Sequence, residues 1–222
     1  KPGSDGRDAL SMASGRAAEA GLDRRGTDGA GGGTGRSRGD RREHGGVPSR
    51  RRHAKADEYA TMLAARGIRP ADMSFGGGIA KSSTSYKALA LGAPFTKMVI
   101  MGRGMMIPGF LGSNIEGVLR TANKDKVFGN WTELPKTVSQ YGNTPEEIFS
   151  GYYSLEDKVG AKAMKEIPFG AIAIWTLCDK LGAGLQQLMA GCRRFTIGEI
   201  RRDDIAAGNY ETANEIGLKH IM

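Results

Sequence analysis

Twice between Ile68 and Gly109 a short strand candidate ends in a glycine cluster, and a helical segment separates the two. The first, Ile68–Phe75, stops at Gly76-Gly77-Gly78, and the second, Phe95–Met101, stops at Gly102 with Arg103 beside it. Between them Ser82-Ser83-Thr84 suits a helix start, Tyr86, Leu89 and Leu91 follow, and Gly92 suits its end. Ahead of the first run, Ala54–Arg66 carries Tyr59, Met62 and Leu63 at helical spacing, with Gly67 as a stop. Helix, strand and glycine turn, repeated in units of roughly 30 residues, are the arithmetic of a parallel α/β fold. That repeat is the strongest constraint in the chain.

The flanks differ from it in kind. Residues 1–52 hold 13 Gly and 11 Arg, no Phe, Trp, Tyr or Ile, and 12 basic against 7 acidic groups. Such an arm buries too little apolar surface to offset its ordering entropy, so disorder is the expectation. From residue 53 onward 20 basic groups face 17 acidic ones, so the overall charge of +8 belongs largely to the arm. From Asn114 the pattern turns mainly helical. Thr144-Pro145-Glu146-Glu147 has the chemistry of a helix start. Ala171–Leu177 with Leu181, Leu185, Leu188 and Met189 forms an apolar helical region, and Asp203-Asp204 suits the start of a terminal helix through Ile205, Tyr210 and Ile216. The expected division is 1–53, a Gly/Arg-rich disordered arm or corrupted segment, then 54–113 with the βα units, then 114–222 as a helical extension.

Composition excludes several classes. No apolar stretch reaches the roughly 18–20 residues of a membrane span, and none resembles a secretory signal. Cys178 and Cys192 give neither a disulfide framework nor a metal-ligand spacing, and His44, His53 and His220 are scattered. A soluble, cytoplasmic protein without a resident metal is expected.

Three features could carry chemistry. The two strand-end glycine turns let backbone N–H groups approach an anion, with a helix N-terminus beyond each and Arg103 as a forked donor. Against that stands the simpler role of glycine in tight turns. The second feature, Asp28–Ser37, spaces Ala30, Gly35, Arg36 and Ser37 like a triphosphate-cradling loop. Arg replaces the required Lys there, and Leu22–Thr27 does not read as a buried parallel strand. A dinucleotide fingerprint fails as well, because Lys81 stands where Gly76-x-Gly78 would need a third glycine. The third feature is the arm as a nucleic-acid binder. It lacks the aromatics that stack single-stranded bases, so a tail without that partner is the preferred reading. No Ser/His/Asp or Cys/His arrangement offers nucleophilic catalysis, and the catalytic residues stay unassigned; reactive chemistry would come from a cofactor.

The run Phe75–Gly109, FGGGIAKSSTSYKALALGAPFTKMVIMGRGMMIPG, resembles the FMN-binding domain of glutamate synthase in its short form. Thr144–Ser154, Pro168–Gly191 and Arg201–Ala207 are similar to the short members too. The resemblance implies the last two or so βα units of a partial TIM (β/α)8 barrel, with a helical C-terminal extension. It implies that Gly76, Gly77, Gly78 and Ile79, after barrel strand 7, and Gly102 and Arg103, after strand 8, hold the FMN phosphate. Asp28–Gly35 resembles a loop after strand 6, which makes Gly32, Gly33, Thr34 and Gly35 a secondary part of the site. Glu43–Pro48 resembles a segment slightly later in the family. Arg24–Thr27 departs from it where an apolar strand is expected, as does Arg36-Ser37-Arg38. Met105–Glu116 lacks the three cysteines with which larger members hold an iron–sulfur cluster, so none is expected.

The implied activity is that of an oxidoreductase in which reduced FMN drives reductive amination of 2-oxoglutarate to glutamate, with ammonia free or glutamine-derived and the electron donor open. The chain reads as a C-terminal fragment, inactive alone. Alternatives are another FMN-barrel oxidoreductase, or a nucleic-acid-binding protein using the basic arm.

Overall fold

A computed structural model describes residues 24–28, 49–120 and 131–221. The architecture is mixed α/β, mostly helical, with a three-stranded parallel sheet. In chain order it runs β1 (Arg24–Asp28), α1 (Ser49–Ala65), β2 (Asp72–Gly76), α2 (Ser82–Leu91), β3 (Thr96–Ile100) and α3 (Arg103–Leu119). The short helices α4 (Lys136–Ser139), α5 (Pro145–Ile148), α6 (Tyr152–Val159) and α7 (Ala161–Met164) follow. Then come α8 (Phe169–Gly191) and α9 (Tyr210–Ile216). Two compact units divide the chain, one of residues 1–101 with 185–222, the other of residues 102–184.

In the first unit the sheet order is β1-β2-β3, every pair parallel. β2 takes the second half of the first stretch and runs one residue beyond it to Gly76, β3 falls inside the second, and α2 spans the expected residues. Two expectations are corrected. Arg24–Asp28 is a strand paired along its length with β2. Helix α1 begins at Ser49, before the expected boundary at residue 53, and His53 on it is 4% exposed. The sheet core joins Met73 and the wholly buried Phe75 of β2 to Ala56 and Ala60 of α1. A second cluster packs Tyr86, Leu89 and Ala90 of α2 against Met189 and Ile200.

The C-terminal segment of this unit is tied down by two arginines. Arg194 pairs with Asp204 at 2.9 Å, and the Tyr86 hydroxyl donates to the same carboxylate at 3.2 Å. Asp204 also accepts the Arg201 amide at 2.8 Å, closing a single 3-10 turn at Arg202–Asp204. The aspartate pair therefore does not start the terminal helix. That helix begins after Asn209, whose side chain accepts the Thr212 amide at 2.7 Å. Arg202 pairs with the buried Asp57 at 2.9 Å and donates to the carbonyls of Leu91, at 2.8 Å, and Ile216.

The second unit is helical around Ile115, Phe149, Met164, Phe169 and Ile172. At α5 Thr144 is the N-cap residue, as expected, and Glu147 accepts the Asn143 and Thr144 amides at 2.9 and 3.2 Å. Helix α3 is longer than its sequence suggests. It starts at Arg103, 11 residues before Asn114, and carries Pro108 inside it. Glu116 of α3 accepts the Phe169 amide at 3.0 Å and so satisfies the start of α8, while Arg120, at 2.7 Å from Glu116, lies 4.4 Å over the Phe169 ring. Among the described residues no helix is long and apolar enough to cross a membrane, and no group of three or more His, Cys, Asp or Glu is placed to hold a metal ion.

Candidate anion site at the strand ends

The registers Asp28↔Gly76 and Gly76↔Ile100 set the C-terminal ends of all three strands along one edge of the sheet. In parallel α/β sheets that edge is where ligands bind. β2 runs into Gly77 and Gly78, whose φ angles are 107° and 71°. Two successive residues in this region strongly favour glycine, so the turn cannot be rebuilt from ordinary residues without strain. A Cβ on Gly78 would meet nothing within 4 Å. The glycine is therefore required by the backbone and faces open space. Ile79 turns back into the core at 5% exposure and anchors the far side.

Three residues later α2 begins after Lys81 with no side-chain cap on its first turn. Uncapped amides at a helix start carry partial positive charge and suit an anion. In the second unit, Gly102 precedes α3, again with no side-chain cap, and Arg103 is the exposed first helical residue. A Cβ on Gly102 would likewise meet nothing within 4 Å. Gly32, Gly33, Thr34 and Gly35 lie outside the described residues. Of the sequence-derived site, Gly76–Ile79 form one continuous turn in the first unit, and Gly102 and Arg103 open the second.

Sequence reasoning missed the residue behind the turn. His53 of α1 is stacked face to face on Phe75, ring centroids 3.9 Å apart at 7°. It also makes a backbone hydrogen bond with Gly76. Burial holds its pKa down at about 4, against the weaker upward pull of that bond, so the ring is neutral near neutral pH. A histidine alone in a basic, aromatic-free stretch carries no periodic signal that would have singled it out.

One cavity of the first unit lies elsewhere. It has a volume of about 480 Å³ and is lined by Asp57, Glu58, Thr61, Arg202 and Glu215 among others. Arg202 is already committed there to Asp57 and two carbonyls, and the lining carries more acidic than basic side chains. It does not suit a phosphate.

Repeated βα units, with a glycine turn and an uncapped helix start at a shared strand edge, define a mixed α/β protein with an anion-suited turn. Residues 6–113 match the family model described as the conserved region in glutamate synthase. The matched region, a little under half of the chain, is consistent with a member of the glutamate synthase domain family, an oxidoreductase-related family. The match takes in β1 and its neighbours in the Gly/Arg-rich arm, and it ends inside α3. No curated protein and no solved structure matches the chain.

Proposed function

We propose that the chain is the phosphate-gripping part of an FMN-dependent, glutamate synthase-like oxidoreductase that reductively aminates 2-oxoglutarate to glutamate. The supporting observation is the Gly77–Gly78 turn, held at positive φ and with Gly78 facing open space, at a sheet edge within the family-matched segment. In this reading β1, β2 and β3 are consecutive strands of a TIM barrel. The sites for 2-oxoglutarate and the ammonia source are not assigned to described residues.

The residues fit the group. A flavin phosphate needs several backbone donors, room for close approach, and a cation. Gly76, Gly77, Gly78 and Ile79 would supply the first and Gly78, which faces open space, the second, with the uncapped start of α2 beyond them. In the second unit, taken by itself, Gly102 and Arg103 offer an uncapped helix start and a guanidinium, whose paired donors would match phosphate oxygens. When bound, FMN would supply hydride transfer; these residues would orient it by its phosphate and leave the isoalloxazine chemistry to other groups.

Titration of the full chain with FMN and with riboflavin, followed by flavin fluorescence, tests this reading. FMN is expected to bind more tightly than riboflavin. Arg103→Ala should weaken FMN by about tenfold, the worth of one charge-assisted contact, and leave riboflavin unchanged. Equal affinity for the two flavins in the wild-type chain would defeat the phosphate assignment.

A further inference from the structure

We infer that His53 is a positioning residue that fixes the Gly76–Gly78 turn in the shape that receives a phosphate. The ligand in this inference rests on the phosphate reading above; the role of His53 in the turn does not. Four observations carry it. The imidazole is 4% exposed and lies flat on Phe75, the residue directly before Gly76. Phe75 is itself wholly buried, so the stack sits on an immobile base. The ring bonds to the Gly76 backbone, while its Nε2 is buried without a partner among the described residues. Nδ1–H is therefore the donor, and the Gly76 carbonyl the acceptor.

A buried imidazole nitrogen left without a partner costs stability relative to an apolar ring of the same shape. Core packing alone would be served better by phenylalanine. What a histidine adds here is a single donor aimed at the last residue of β2, where the chain leaves the sheet for two residues of positive φ. Glycines lose more conformational freedom on ordering than other residues, so a turn made of three needs an external restraint to hold one shape. A donor from α1, held by a stack on the preceding residue, is such a restraint. An ordered turn binds its ligand more tightly because the ordering cost is met before binding.

Two substitutions separate the ring from the donor. His53→Phe keeps the stack and loses the hydrogen bond; His53→Asn keeps a donor near the Nδ1 position and loses the stack. A residue that serves packing alone makes stability and ligand affinity move together. A positioning role makes them diverge. H53F should unfold at or above the wild-type temperature yet bind FMN about tenfold more weakly. H53N should unfold at a lower temperature yet bind within about threefold of wild type. Amide hydrogen exchange of Gly77, Gly78 and Ile79 in the ligand-free full chain supplies the second readout. It should quicken severalfold in H53F and stay near wild type in H53N.

Equal FMN affinity of H53F and wild type would overturn the inference, as would unchanged exchange of the turn amides in H53F. If wild type binds FMN no better than riboflavin, the phosphate reading fails by itself. The exchange comparison then decides alone whether His53 orders the turn.

Discussion

Gly112→Ala is expected to cost the protein about 3 kcal/mol of folding stability, although alanine is the better helix former. Gly112 lies within α3, where a Cβ would stand 2.7 Å from the Phe169 carbonyl carbon and 2.8 Å from the Gly170 Cα, with the Phe169 carbonyl oxygen closer still. All three are backbone atoms at the start of α8. None can rotate away, so the two helices must separate, and Ile115, Phe169 and Ile172 lose their mutual packing. A second close approach in the same place, between a Cβ on Gly170 and the Gly109 carbonyl oxygen at 2.8 Å, makes the contact a seam between small residues.

The control is Gly182→Ala in α8, where a Cβ meets nothing within 4 Å and the backbone is helical. That change should stabilise by roughly 0.5–1 kcal/mol, by narrowing the unfolded ensemble and improving helix propensity. Urea unfolding of the two variants therefore gives shifts of opposite sign. Faster amide exchange in G112A should map to α3 and the first turns of α8. A neutral or stabilising G112A would mean that the two helices do not approach as closely as described.

The same seam shows what sequence could and could not convey. β2, α2 and β3 were legible because their information is local: short stretches of strand length, a serine-rich helix start and glycine stops. Helix α3 was not. Pro108, Gly109 and Gly112 each argue against a helix by propensity, and tertiary packing reverses the argument, because Gly112 is what lets α8 approach. β1 was hidden for a different reason. Arg24-Arg25-Gly26-Thr27 lacks the apolar character of a central parallel strand, and only the pairing to β2 reveals its place at the edge of the described sheet. At the C-terminus Asp203-Asp204 had the right chemistry for a helix start, but Arg194, Tyr86 and the Arg201 amide occupy Asp204. Of the candidate site, the glycines and Arg103 could be read from sequence, whereas His53 could not. Its role depends on a stack and a hydrogen bond to residues more than 20 positions away.

Arg202→Ala is expected to cost about 3–5 kcal/mol at pH 8, because it leaves a buried carboxylate without its counter-ion. Asp57 is 8% exposed, and Arg202 is its ion-pair partner at 2.9 Å, while its Oδ1 is buried without a hydrogen bond among the described residues. Burial outweighs the arginine and raises the Asp57 pKa to about 6 from 3.8. The folded state thus holds a proton on Asp57 at pH values where the unfolded state has released it. Stability from this group rises as pH falls from about 6 to about 4, by up to about 1.4 kcal/mol per pH unit.

His53, one helical turn earlier on α1, works in the opposite direction. Its folded pKa near 4 lies below the usual 6.5, so the unfolded state takes up the proton first and stability falls across nearly the same window. The two slopes nearly cancel, and their joint contribution in the wild-type chain should be close to flat from pH 6 to 4. Removing Arg202 takes away both of its downward pulls on Asp57, so the carboxyl pKa climbs and its slope extends above pH 6. R202A should therefore be most destabilised at pH 8 and recover part of the loss by pH 6. Adding Asp57→Asn to it should abolish that recovery and restore much of the stability at pH 8, because the stranded charge is gone. The Leu91 and Ile216 carbonyls still lack their donor in the double variant, so the restoration is incomplete. Urea midpoints at pH 8, 6 and 4.5 for the three chains decide the matter; an R202A loss independent of pH, with no rescue by D57N, would show that Arg202 acts through the carbonyls alone.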